Sequence, residues 1–156
     1  MPMIRRVIAV LLLALLQSPP AAAELTVQIL RGMAETVPIA IVPFGWESDG
    51  AAAWDVAATI QADLERSGRF RALPRGQMIE FPHMADAVDA TDWRMLKVDY
   101  VVVGQLVRMP DGRFELRYEL IQVATGERLL GTALPAEPGA LLPASHRVAD
   151  AIYERI

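Results

Sequence analysis

Two histidines, no cysteine, and the serines Ser48, Ser67 and Ser145 make up the nucleophilic and soft-ligand stock of this chain beyond its first 23 residues. His83 sits in Phe81-Pro82-His83-Met84, and His146 follows Ser145 near the end. A zinc centre needs four nitrogen or sulfur ligands at tight spacings, which this set does not supply. Asp86, Asp89 and Asp92 recur at every third position. They lack the alternating ligands, the glycine and the terminal glutamate of a calcium loop, and read instead as a solvated, helix-capping stretch. No serine lies in a G-x-S-x-G elbow. Ser145 and His146, as helix neighbours, diverge by about 100° and cannot share a proton. Neither G-x-G-x-x-G nor G-x-x-x-x-G-K-[ST] occurs, so no cofactor or phosphate cradle is expected. Glu115 and Glu119 alternate with arginines on one strand face, the pattern of surface ion pairs. Trp46, Trp54 and Trp93 could line a cleft, but core packing is the expected fate of indoles. These residues predict no enzyme, no metal and no cofactor.

The chemistry the sequence does offer is that of the backbone. Met1–Arg6 carries Arg5 and Arg6, Val7–Leu16 is an unbroken apolar run, and Ala21-Ala22-Ala23 provides small residues for cleavage after Ala23. That is the layout of a secretion signal over residues 1–23. Ten apolar residues rise only about 15 Å as a helix, too short to span a bilayer. Processing would expose Glu24-Leu25-Thr26-Val27-Gln28-Ile29, which alternates polar and apolar residues as a half-buried strand does. Such a strand either completes its own protein's sheet or extends a partner's sheet by β-augmentation. In the second case Glu24, Leu25, Thr26, Val27, Gln28, Ile29, Leu30, Arg31 and Gly32 form the partner-binding segment. Leu25, Val27 and Ile29 would give it specificity. Ordering about seven residues costs on the order of 7–14 kcal/mol, so affinity should be modest, near micromolar.

Cleavage after Ala23 leaves all 19 acidic residues and lowers the basic count from 15 to 13, a net charge of −6. This disfavours nucleic acid and anionic membrane surfaces as partners. Without cysteine there is no thiol to lipidate, and no second run reaches membrane-spanning length, so no direct membrane insertion is expected. The preferred address is the periplasm.

Gly32–Val37 reads as a hinge ahead of a body over residues 33–156. Pro38–Phe44 is apolar on both faces, a central strand. Ala52–Ser67 has helical period, with Ala53, Val56, Ala57, Ile60 and Leu64 on one face and Gly68 as C-cap. Phe70–Leu73 is a short strand, Pro74–Asp92 an irregular stretch with one helical turn near residues 77–79, and Thr91–Val98 a short helix burying Trp93 and Leu96. Tyr100–Val107 is a strand. Pro110-Asp111-Gly112 turns it into another, in which Phe114, Leu116, Tyr118 and Leu120 share the packed face and the opposite face is wet. A turn at Ala124–Glu127 leads to a strand over residues 128–133 and then a last helix with Leu141, Ala144, Val148, Ala151 and Ile152 inward. The order predicts an α+β fold, a mixed β-sheet with two main helices packed on one face. The last helix runs to Ile156 without a cap, which suggests a further domain beyond it.

Several segments together resemble the amino-terminal domain of the TolB family. They are Pro38–Trp46, Ala62-Asp63-Leu64, Ser67-Gly68-Arg69-Phe70, Trp93, Asp99–Gln105, Asp111-Gly112, and His146–Glu154, which is similar to the family's A-H-x-x-A-D-x-I-Y-E signature. Ser145 stands where that signature has alanine, after Leu142-Pro143. The resemblance implies a periplasmic, non-enzymatic adaptor of the Tol-Pal system, which supports outer-membrane integrity and constriction at division. It implies that Glu24–Gly32 binds a TolA-like inner-membrane protein. A Pal-like lipoprotein would bind only through the β-propeller that follows this domain in the family. His146 is expected to bond within the domain. The alternative is a module similar to the lipoprotein activators of peptidoglycan synthases, which carry a lipidated cysteine absent here. An unrecognised hydrolase would need Ser48 or Ser145 as nucleophile.

Overall fold

The computed structural model describes residues 35–46 and 52–156, all within the unit Met33–Ile156. The signal, the segment Glu24–Gly32, the turn at Glu47–Gly50 and Ser48 lie outside the described residues.

The elements are β1 (Val37–Ile41), β2 (Gly45–Trp46), α1 (Val56–Arg66), β3 (Phe70–Ala72), α2 (Ala90–Met95), β4 (Tyr100–Arg108), β5 (Phe114–Gln122), β6 (Glu127–Ala136) and α3 (Leu141–Arg155). The sheet runs β3-β1-β4-β5-β6, parallel across β3, β1 and β4 and antiparallel across β4, β5 and β6, with β2 parallel to the far half of β4. The α+β reading is borne out, and both main helices lie on one face.

The sheet has a core on each side. Ile39 and Ile41 of β1 join Val102, Leu106 and the Phe114–Leu120 row under α1 and α3, which contribute Ile60, Leu64, Ala144, Val148 and Ile152. The alternate residues Ala40 and Val42 point the other way, with Val101, Val103, Ile121 and Val123, onto Trp93 and Met78. β1 is therefore apolar on successive positions because both its faces are covered. The expectation of one wet face holds only for the outer half of β5. Trp93 of α2 covers the rest and is fully buried, while Leu96 is half-buried.

Three boundaries differ from expectation. α1 starts at Val56 rather than Ala52, because the Asp55 carboxylate accepts the Ala58 amide at 2.9 Å and fixes the cap there, which leaves Ala53 exposed. The helical turn falls at Arg75–Gln77, with another at Ala85–Ala87. β6 continues through Pro135 to Ala136, since an edge strand tolerates the missing donor. The last helix keeps Pro143 in its first turn, where no intrahelical donor is required, and Ala151 is half-buried while Ser145 and Ala149 are buried.

Gly104 is fixed by contact rather than by conformation. A Cβ there would lie 2.4 Å from both the Arg117 carbonyl oxygen and the Phe44 ring, so the Pro43-Phe44 turn between β1 and β2 can lie flat on β4 only over a glycine.

Candidate docking interface

Three of the segments that carry the family resemblance, around Asp63, Arg69 and His146–Tyr153, touch one another in space. His146 of α3 bonds through Nδ1 to Oδ2 of Asp63 on α1, and Arg66 donates to the other carboxylate oxygen at 2.7 Å. Arg69, just after the α1 cap, donates from Nη1 to the Tyr153 carbonyl at 2.9 Å, near the end of α3. Its guanidinium carbon lies 5.1 Å from the Tyr153 ring centroid and 5.5 Å from that of Phe70. Two contacts thus lock α3 to α1 and β3. His146 bonds within the domain, as expected.

Burial alone would push the Asp63 carboxyl up, but the hydrogen bonds from His146 and Arg66, and their charges, outweigh it and hold the group below the ordinary carboxylate range. A depressed folded pKa gives stability that is present above the unfolded value of about 3.9 and lost as pH falls through the folded value. Asp63→Asn should therefore lower stability near neutrality by about 1 kcal/mol and flatten the acid limb of a melting-temperature profile below about pH 4. An unchanged acid limb in the variant would show the pair to be energetically silent.

The other chemical candidates resolve as packing or surface groups. Ser145 is buried and donates to the Leu141 carbonyl at 2.8 Å, while its neighbour His146 points outward. Ser67 donates to the Leu64 carbonyl at 2.6 Å within the end of α1. Asp89 caps α2 by accepting the Thr91 amide at 2.8 Å. Among the described residues no cluster of three or more His, Cys, Asp or Glu could hold a metal. Glu115 pairs with Arg117 at 2.6 Å and Glu119 with Arg128 at 2.7 Å, the cross-face ladder the alternation predicts. Glu119 also accepts the Ala85 amide at 2.6 Å, which no sequence signal announced. The three indoles divide. Trp93 is core, Trp46 is half-buried with its ring 5.9 Å from Phe114, and Trp54 is 41% exposed.

The described surface carries several shallow hollows. One, of about 430 Å³, lies between α1 and α3 beside Trp54, Leu142 and His146. Another, of about 360 Å³, is a trough on the sheet face away from α1 and α3, floored by Gln105, Arg117 and Gly131 and walled by His83 and Met84. The His83 wall can sit close because Gly45 beneath it has no Cβ, which would lie 2.8 Å from the imidazole. No described helix is long and apolar enough to cross a membrane.

A family model described as the TolB amino-terminal domain matches residues 25–129. The chain belongs to the TolB family. A curated relative named Tol-Pal system protein TolB, from Xanthomonas oryzae pv. oryzae (strain PXO99A), is 45% identical over 133 residues, covering 85% of this chain and 30% of that protein. The crystal structure of TolB from Acinetobacter baumannii superposes with a TM-score of 0.64 at 31% identity, over 78% of this chain and 28% of that one. The LpoB C-terminal domain from Escherichia coli matches with a TM-score of 0.51 at 16% identity, over 68% of this chain and 86% of that one, a likeness of fold alone. The chain spans about 30% of the length of the curated TolB relatives it matches. The TolB match begins at residue 25, inside the segment picked out as a free strand, and ends early in β6.

Proposed function

We propose that this chain is a periplasmic, non-enzymatic adaptor of the Tol-Pal system, exported by cleavage after Ala23, whose leading segment Glu24–Gly32 binds a TolA-like inner-membrane protein. The observation that carries the reading is the strict alternation of Glu24–Ile29, which from Leu25 onward falls in the region matched by the TolB amino-terminal domain. The segment adds as a strand to the partner's sheet. Backbone hydrogen bonds supply attraction, and Leu25, Val27 and Ile29 insert on one face. The relatives' name places them in the Tol-Pal system, and this chain takes part through the same domain. The family resemblance implies contact with a Pal-like lipoprotein only where a propeller follows this domain. Support of outer-membrane integrity and of constriction at division is the role of the system that the resemblance implies.

Val27→Pro tests the reading. Proline in the middle of the strand removes a backbone donor and should weaken binding to a TolA-like domain at least tenfold, about 1.4 kcal/mol by calorimetry. Thr26→Ala, on the opposite row, should change it little. Equal affinities for Val27→Pro and the parent chain would contradict strand addition.

A further inference from the structure

Among the described residues β6 is an edge of the sheet. β6 hydrogen-bonds to β5 on one side and to no described strand on the other. Edge strands are usually guarded by charge, proline or a covering element. Here the run Leu129–Leu134 contains neither charge nor proline, and Gly131, Thr132 and Ala133 at its centre are exposed. Arg128 and Pro135 flank the run, and the Arg128 side chain lies along the outer face over Gly131 without covering the edge backbone of Thr132 and Ala133.

The trough described above opens beside this edge. Register places Val103, Glu119 and Gly131 in one row across the outer face and Gln105, Arg117 and Ala133 in the next. In the first row the Arg128 side chain crosses Gly131, 3.3 Å from where a Cβ would sit, to reach Glu119; in the second row β6 contributes only the Ala133 methyl beside the half-exposed Arg117. Arg117 uses Nε toward Glu115 and Arg128 uses Nη1 toward Glu119. Among the described residues the remaining guanidinium nitrogens of both make no hydrogen bond. Glu119 is committed twice, to Arg128 and to the Ala85 amide, so it stays in place and leaves those donors facing the trough.

We propose that β6 accepts an extended polypeptide segment carrying acidic side chains, its backbone pairing along Leu129–Leu134 and its carboxylates taking the spare donors of Arg117 and Arg128. Adjacent strands lie about 4.8 Å apart, so an added strand sits about 10 Å from β5. A glutamate on the added strand and Arg117 on β5 together bridge that distance over the small side chains between them. Guanidinium binds carboxylate in a forked geometry that an ammonium cannot match, which selects acidic over basic segments.

The test titrates the isotope-labelled full chain with a blocked hexapeptide alternating threonine and glutamate, and with its threonine–lysine counterpart, following amide shifts at low salt. The acidic peptide should move the amides of Gly131, Thr132 and Ala133 and bind at least tenfold more tightly than the basic one. Arg117→Glu, at an exposed position, should invert that preference. Thr132→Pro should abolish the β6 shifts with the rest of the spectrum intact. A chain lacking Glu24–Gly32 should respond like the parent, which separates this surface from the leading segment. Equal binding of the two peptides, shifts centred outside β6, or no shift up to about 5 mM peptide would overturn the proposal.

Discussion

Deleting Glu24–Gly32 is expected to abolish binding to a TolA-like domain while leaving the melting temperature of the body within about 2 °C of the parent. The expectation rests on where the packing is. Among the described residues both cores lie between Val37 and Ile156, and the ties of Asp63 with His146 and of Arg69 with Tyr153 lie in the same body. If the segment is held by a partner and not by those cores, its removal leaves them covered. The same segment carries the only alternating run ahead of the body, so its loss removes the strand offered to the partner. Calorimetry on the parent and the deletion, with thermal unfolding beside it, separates the two effects. Retained binding, or a large loss of stability with binding intact, would place the segment inside the fold rather than on a partner.

Trp93→Ala is expected to cost about 3–5 kcal/mol, a large part of the 5–15 kcal/mol that holds a domain of this size together. Trp93 is fully buried and is the largest side chain of the smaller core, packed with Met78, Val101 and Val103 on a sheet face that no long helix covers. A fall in melting temperature of roughly 10–20 °C should follow. Trp93→Phe should cost much less, under about 1.5 kcal/mol. It keeps an aromatic ring and removes an indole N–H that is buried with no partner among the described residues, a group that itself penalises the folded state. If the alanine variant melts with the parent, the second core carries no weight. If phenylalanine is as damaging as alanine, the indole nitrogen has a partner that the fold needs.

Much of this architecture could be read from the sequence because burial leaves period in it. The Phe114, Leu116, Tyr118, Leu120 row alternates because one side meets helices and the other meets water or short polar loops. Ile39-Ala40-Ile41-Val42 does not alternate because both sides are covered. Gly68 and Gly112 were legible as turns since φ values of +74° and +87° suit glycine. Asp55 as the α1 cap was missed because the preceding alanines continue a helical pattern that only the Ala58 hydrogen bond interrupts. Trp93 and Trp54 are the same residue type with opposite fates, one enclosed and one 41% exposed, and composition could not separate them. The pairing of Asp63 with His146 across 83 positions, the grip of Glu119 on Ala85, and the trough beside β6 arise only when distant elements meet. The family resemblance brought the motif residues together before the fold did, but it did not say that they bind one another.

The reading of the leading segment as a strand has a different ground. Alternation over Glu24–Ile29 is a local property, visible without knowing what the strand pairs with. What it pairs with is a question of which backbone groups are open to exchange. Amide hydrogen exchange on residues 24–32 of the processed chain, with and without a TolA-like domain, addresses that directly. The account predicts fast exchange alone and strong protection of alternate amides in the complex. Protection that is already complete in the isolated chain, and unchanged when the partner is added, would contradict it.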